Sequence, residues 1–154
     1  MRIDGFEESA DDFAEFAEGL REFADGMDDA VDEGTRETVK QIERTAKRLV
    51  AVDSGTLRWS IAFRRIDLAE YIIGTPVDYA PDVEFGSAPH VITPTTGEFL
   101  YFEGEDGHLI RKRSVQHPGT PAQPFMRPAL REHRSDLARN IQAEIDALAK
   151  KAFS

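Results

Sequence analysis

Apolar positions along the first fifth of the chain recur with a helical period. Phe6, Phe13, Leu20 and Met27 are each followed four positions later by Ala10, Ala17, Ala24 and Val31, and acids fill the other faces. This spacing predicts an amphipathic helix over residues 6–31, about 40 Å long at roughly 1.5 Å per residue. A second helical pattern follows at Thr35, Val39, Ile42, Ala46, Leu49 and Val50, with Glu43 one turn before Lys47. Gly34 between them permits a kink without requiring one. So long a helix with so narrow a stripe finds too little partner surface in a small domain, so part of it is expected to pack against a neighbouring subunit.

The period then changes. Val52-Asp53-Ser54-Gly55-Thr56 is a turn-forming cluster, and over residues 57–66 Trp59, Ile61 and Phe63 alternate with Arg58, Ser60, Ala62 and Arg64, which predicts a strand. Residues 70–75 (EYIIGT) return as a second strand. Residues 76–86 (PVDYAPDVEFG) have no clean period and predict an irregular turn or one short helical turn. Short strands are expected at 90–94, 99–103 and 108–113, with separators that carry glycine, as tight hairpins favour. Residues 117–130, HPGTPAQPFMRPAL, form a stiff ribbon rich in proline. From Phe125 the chain turns helical, with Ala129, Leu130, Leu137, Ile141, Ile145 and Leu148 as its apolar face and Lys150-Lys151 near the C-terminal dipole. The order predicts an α+β fold: a long N-terminal helix, a small antiparallel sheet with an extended hairpin insert, and a C-terminal helix. Residues 1–34 are expected to be an acidic helical extension, and residues 35–154 a single domain.

Charge changes this picture in one place. The chain of 154 residues carries a net −10, yet residues 1–33 hold thirteen acids against Arg2 and Arg21, and the remainder is close to neutral. Such a segment repels DNA phosphates and acidic lipids, so it should face solvent or a basic partner. Abundant acids, with arginine outnumbering lysine, also suit a salt-loving host, although a solvated acidic helix face explains the same residues. No apolar run approaches the length of a membrane span and no secretory signal opens the sequence, so synthesis and retention in the host cytoplasm are expected. The absence of cysteine removes disulfides, thiolate nucleophiles and cysteine zinc sites.

Catalytic chemistry is sparse. His90, His108, His117 and His133 lack the spacing of a helical metal pair; His133 and Asp136 could share a helix face, but an exposed polar pair explains them. Ser54 lies outside any G-x-S-x-G frame and reads as a turn residue. Carboxylates on a solvated helix keep near-normal pKa values and make poor acid–base catalysts. No enzyme, metal or cofactor is expected. Two basic clusters stand out: Arg64-Arg65, and Arg111-Lys112-Arg113, which could touch phosphate from a hairpin tip or simply protect a strand edge.

Three ordered blocks carry a resemblance: DSGTLRWSI; then IIGTPVDYAPDVEFGS; then, after PHVITP and EFLYFE, SVQHPGTPAQPFMRPAL. Together they resemble the tail-component or tail-completion proteins of long-tailed double-stranded DNA viruses, the "gene product ten"-like group of lambdoid phages. Val52, Asp53, Gly55, Leu57, Arg58, Ser60 and Ile61 match the first block. Gly74, Thr75, Tyr79, Ala80, Val83, Glu84, Phe85 and Gly86 match the second. His117, Pro118, Gly119, Thr120, Pro124, Phe125, Arg127, Pro128, Ala129 and Leu130 match the third. Ser54, Ser87 and Met126 depart from the pattern and roughly conserve size or polarity. The resemblance runs from about residue 35 to residue 150 and leaves out the acidic stretch.

The resemblance implies a structural virion protein of the neck, a closed homo-oligomeric ring that completes the tail and joins it to the head connector. Its implied partners are further copies of itself, connector proteins on the head side and the tail-tube protein, with non-specific contact to packaged DNA and no membrane. Sixfold symmetry is the expectation and twelvefold the competing count. Tyr79, Glu84, Phe85, His117, Pro118, Pro124, Phe125 and Arg127 would line the subunit interface, and Arg111, Lys112 and Arg113 would face the DNA channel. Tyr79, Phe85 and Phe125 could equally fill the core of their own domain, and Arg127 could pair with Glu84 across a subunit boundary or cap local carbonyls. A nucleic-acid-binding or regulatory dimer that uses the basic hairpin is the alternative.

Overall fold

The computed structural model describes residues 4–50, 55–104 and 106–154, with side chains from Asp11 onward. In chain order the elements are α1 (Asp4–Leu49), α2 (Thr56–Ser60), β1 (Ala62–Asp67), β2 (Glu70–Gly74), α3 (Ala80–Phe85), β3 (His90–Ile92), β4 (Leu100–Glu103), β5 (Leu109–Lys112), β6 (Val115–His117), α4 (Met126–His133) and α5 (Asp136–Ala152). The chain forms two compact units: unit 1 comprises Met1–Pro76 with Phe125–Ser154, and unit 2 is Val77–Pro124. The fold is α+β, as the sequence pattern predicts.

In unit 1 a single helix replaces the two expected ones. α1 runs through Gly34 for 46 residues, roughly 70 Å at about 1.5 Å per residue. α5 lies antiparallel along it, with Gly19 against Phe153, Gly26 against Leu148 and Gly34 against Ile141. A Cβ at Gly34 would stand 2.5 Å from the Ile141 Cα. Gly34 is therefore a point of backbone contact between helices, where a larger residue would hold them apart. Phe153 is flanked by Phe16 and Phe23, with ring centroids 5.7 and 6.2 Å away. Further along, Ile42, Ala46, Val50, Leu57, Ile61, Phe125 and Ala129 form the buried core.

The strand expected at 57–66 begins as a helix. Gly55, at φ 81°, opens one turn, α2, and only from Ala62 does β1 extend. The buried residues are Leu57 and Ile61, four positions apart as on a helix face, whereas Trp59 is 79% exposed. Alternation therefore misreads this stretch. β1 and β2 form an antiparallel hairpin with Phe63 opposite Ile73 and Arg64 opposite Ile72. The C-terminal helix is also divided: α4 ends at His133, and α5 starts after Ser135. Residues 52–54 of the expected turn, and the side chains of Phe6 and Ala10, lie outside the described residues.

Unit 2 pairs its strands differently from the expected succession of hairpins. β4 and β5 do form a hairpin, Tyr101 opposite Arg111, but β3 pairs with β6, a strand the apolar pattern leaves unmarked. Sequence neighbours 90–94 and 99–103 are thus not partners. The glycine-bearing turn between them connects two separate sheets.

Candidate functional site

Parts of the second and third motif blocks of the sequence, around Ser87 and Thr120, meet in unit 2. Ser87 and Thr120 exchange backbone hydrogen bonds of 2.9 and 3.0 Å, and the Ser87 hydroxyl accepts a further one from the Thr120 N–H at 3.1 Å. This bridge keeps the register of the β3–β6 ladder, in which His90 faces His117 and Ile92 faces Val115. One turn of α3 is tied to the same ribbon by the Gln123 N–H donating to the Val83 carbonyl at 2.8 Å. Two glycines make the approach possible. Gly86 (φ 75°) and Gly119 (φ 86°) both have left-handed backbones; a Cβ on Gly86 would reach 2.7 Å from the Thr120 oxygen, and one on Gly119 would strike the Ser87 carbonyl.

The histidine pair fits this braid. Their rings lie 5.0 Å apart, the Nδ1–H of His90 donates to the Ala88 carbonyl, and His117 Nδ1 accepts from the Gly119 N–H. On the β4–β5 hairpin, Arg111 and Arg113 both lie over the Phe99 ring, at 4.1 and 5.4 Å from its centroid. Strand alternation turns Lys112 to the opposite face. The expected triple basic patch is thus an arginine pair stacked on an aromatic, with a lysine behind it.

Two of the polar junctions within unit 1 involve carboxylates with displaced pKa values. The Asp32 carboxylate accepts from the Arg65 guanidinium (3.0 Å), the Ala69 N–H (2.8 Å) and the Tyr71 hydroxyl (3.1 Å), pinning the hairpin tip to α1. Burial raises its pKa, but these hydrogen bonds and the Arg65 charge outweigh it and hold the carboxyl below its ordinary value. The Tyr71 hydroxyl is pushed up, first by burial and then by its bond to Asp32. At the α4–α5 junction the His133 Nδ1–H donates to Asp136 at 2.7 Å, while Nε2 meets the Thr45 hydroxyl at 2.8 Å. The bond from His133 lowers the Asp136 pKa, and Arg139 adds to the effect. Hydroxyl, imidazole and carboxylate stand in the order of a nucleophilic relay, but Thr45 is buried inside a regular helix. The arrangement bolts α1 to α4 and α5.

Of the residues singled out from the sequence, Tyr79 just before α3 and Phe85 at its end lie exposed, Phe85 at 63%, while Glu84 is buried. His117 is half-buried, and Pro118, Pro124, Arg111, Lys112 and Arg113 are exposed. In unit 1 Phe125 is 2% exposed, and Arg127 is exposed on the first turn of α4. Asp32, Thr45 and Tyr71 carry junctions that periodicity does not mark, because each partner lies more than thirty residues away. No group of three or more histidines and carboxylates converges among the described residues, and no described helix is long and apolar enough to cross a membrane.

Residues 14–86 match the HK97-gp10-like family, described as "Bacteriophage HK97-gp10, putative tail-component". The match supports a structural role as a tail component of tailed phages, and with it a virion location. It starts within the acidic half of α1, earlier than the visible resemblance, and ends at Gly86, short of the proline ribbon. No curated protein and no solved structure matches the chain.

Proposed function

We propose that the protein is a neck component of a tailed virus that closes into a homo-oligomeric ring, completes the tail and joins it to the head connector around the DNA channel. The family match over residues 14–86 carries this reading. The ring is sixfold, each copy meeting the next through unlike surfaces, as closed cyclic symmetry requires. Tyr79 and Phe85 anchor a contact between copies, and His117, Pro118, Pro124 and Arg127, each exposed or half-exposed, also contribute to the interface. Glu84 and Phe125, which are buried, contribute by holding the backbone that presents these groups. A ribbon fixed by proline and by the Ser87–Thr120 bridge loses little entropy on docking. Arg111, Lys112 and Arg113 face the channel, connector and tail-tube proteins are the axial partners, and the acidic first turns of α1 suit a host with a salty cytoplasm.

Electron microscopy of intact particles tests this. An annulus of this chain at the vertex from which the tail hangs is expected, and its absence there rejects the proposal. The stacked arginines over Phe99 favour a second reading, a dimeric nucleic-acid-binding module. Light scattering that gives a dimer, together with DNA affinity that falls steeply with salt, would support it.

A further inference from the structure

We infer that the amino-terminal half of α1 carries a coiled-coil seam through which it pairs, antiparallel, with the same helix of a second copy of this chain. From Phe6 through Phe13, Leu20 and Met27 a large apolar residue stands every seven positions, and Ala10, Ala17, Ala24 or Val31 follows each by four. Apolar steps of four and three in strict alternation are a heptad repeat. A straight helix of period 3.6 drifts off such a repeat, and a second helix supercoiled with it stays on it.

In heptad letters, with Phe13 at d and Ala17 at a, α5 occupies a different row. It lies against Phe16 and Phe23 at g and against Gly19 and Gly26 at c, while the a and d row stays open, with Phe13 74% and Leu20 47% exposed. Thus α1 has two seams, and among the described residues only one is filled.

Charge placement says what fills the other. Asp11, Glu18 and Asp25 fall at b, Glu15, Glu22 and Asp29 at f, and Asp12 at c. Acids are thereby cleared from the row left open, and the e positions bordering it are Ala14, Arg21 and Asp28. DNA and anionic membranes are repelled by the remaining acids. A second copy is complementary. Parallel copies in register would set Ala24 on Ala24 and Leu20 on Leu20, alternating gaps with crowding. Antiparallel copies set a against d, so each layer takes one small and one large side chain. The e rows then meet, and Arg21 of each copy faces Asp28 of the other. Asp28 makes no ion pair among the described residues, and Arg21 makes an exposed one to Glu18 at 3.0 Å, which is replaced at little cost. The contact joins like surfaces about a two-fold axis, so it pairs free chains and is separate from the head-to-tail contact of a ring.

Sedimentation of the purified full chain tests the pairing. A reversible dimer is expected, and because acids border both helices, raising NaCl from about 0.1 M to about 1 M should tighten it several-fold. Leu20→Glu, at a position exposed in the single chain, should weaken the dimer about tenfold or more, with the helical circular-dichroism signal retained. Arg21→Asp should also weaken it, and adding Asp28→Arg to the same chain should restore it. Nitroxides on Asp11→Cys should lie about 20 Å or more apart, since antiparallel helices carry the two sites to opposite ends; a separation of about 10 Å means parallel helices and overturns the orientation. A chain that stays monomeric at every concentration and salt, or a dimer unmoved by Leu20→Glu, overturns the seam and leaves the neck reading to the annulus in particles. A salt-tightened dimer from a chain that forms no annulus supports the seam and rejects the neck assignment.

Discussion

Gly34 and Gly119 both lack room for a Cβ, yet for different reasons. Gly34 sits in regular helix, and its hydrogen atom lets two preformed helices touch backbone to backbone at Ile141. Gly119 sits at φ 86°, where the glycine itself creates the conformation that brings the ribbon onto Ser87. The long helices of unit 1 are thus elements that α-helical propensity already favours. Unit 2 has short strands and a single helical turn, so its shape depends on a few special backbone positions and the hydrogen bonds they allow. Glycine is a spacer in the first and a hinge pin in the second.

The largest effect should come from forcing the spacer. Gly34→Leu drives a side chain into the α5 backbone and should cost unit 1 about 3 kcal/mol or more, read as a lower melting temperature with loss of the α1–α5 helical signal. Gly119→Ala should cost about 2 kcal/mol through its backbone strain alone. It should chiefly increase amide exchange at Ser87 and Thr120, with the helices unchanged; equal loosening of both units would erase the distinction drawn above.

Removing a bolt comes next. Thr45→Val leaves His133 Nε2 without its hydroxyl partner and should destabilise unit 1 by about 1–2 kcal/mol, measured by urea unfolding. Acid should act on both unit 1 junctions. Asp32 and Asp136 have folded pKa values below their ordinary 3.8, so their contribution is complete above that value and is lost as pH falls through the depressed folded values. Tyr71 runs the other way: its pKa is raised above 10.0, so its contribution is lost only as pH rises through that folded value. The Asp32→Asn chain should therefore show a shallower acid limb than the parent. The smallest effect belongs to the exposed Lys151–Glu22 pair at 2.5 Å, whose removal should leave the melting temperature within error.

Legibility followed the same divide. The helical period reveals α1 and the final helices because burial repeats every turn, and even there the stripe marked by Phe13 and Leu20 proves to be the uncovered one. The covered face is carried by Gly19, Gly26 and Gly34, which a search for large apolar residues passes over. Trp59 misleads because a single helical turn is too short for its period to show against the strand that follows. β6 is hidden because Val115, Gln116 and His117 pair with residues some twenty-five positions earlier. The braid of EFGS with HPGT is nonetheless visible as motif, since only glycine fits where those backbones cross.

The ladder that runs from Ser87–Thr120 to Ile92–Val115 encloses residues 93–114, including the whole β4–β5 hairpin, as a side excursion. Its two ends are already joined by backbone pairing, so the loop between them is free to change length or sequence without disturbing the crossing at its base. A foreign peptide or a bulky label grafted near Gly107 would be carried on the protein as a passenger.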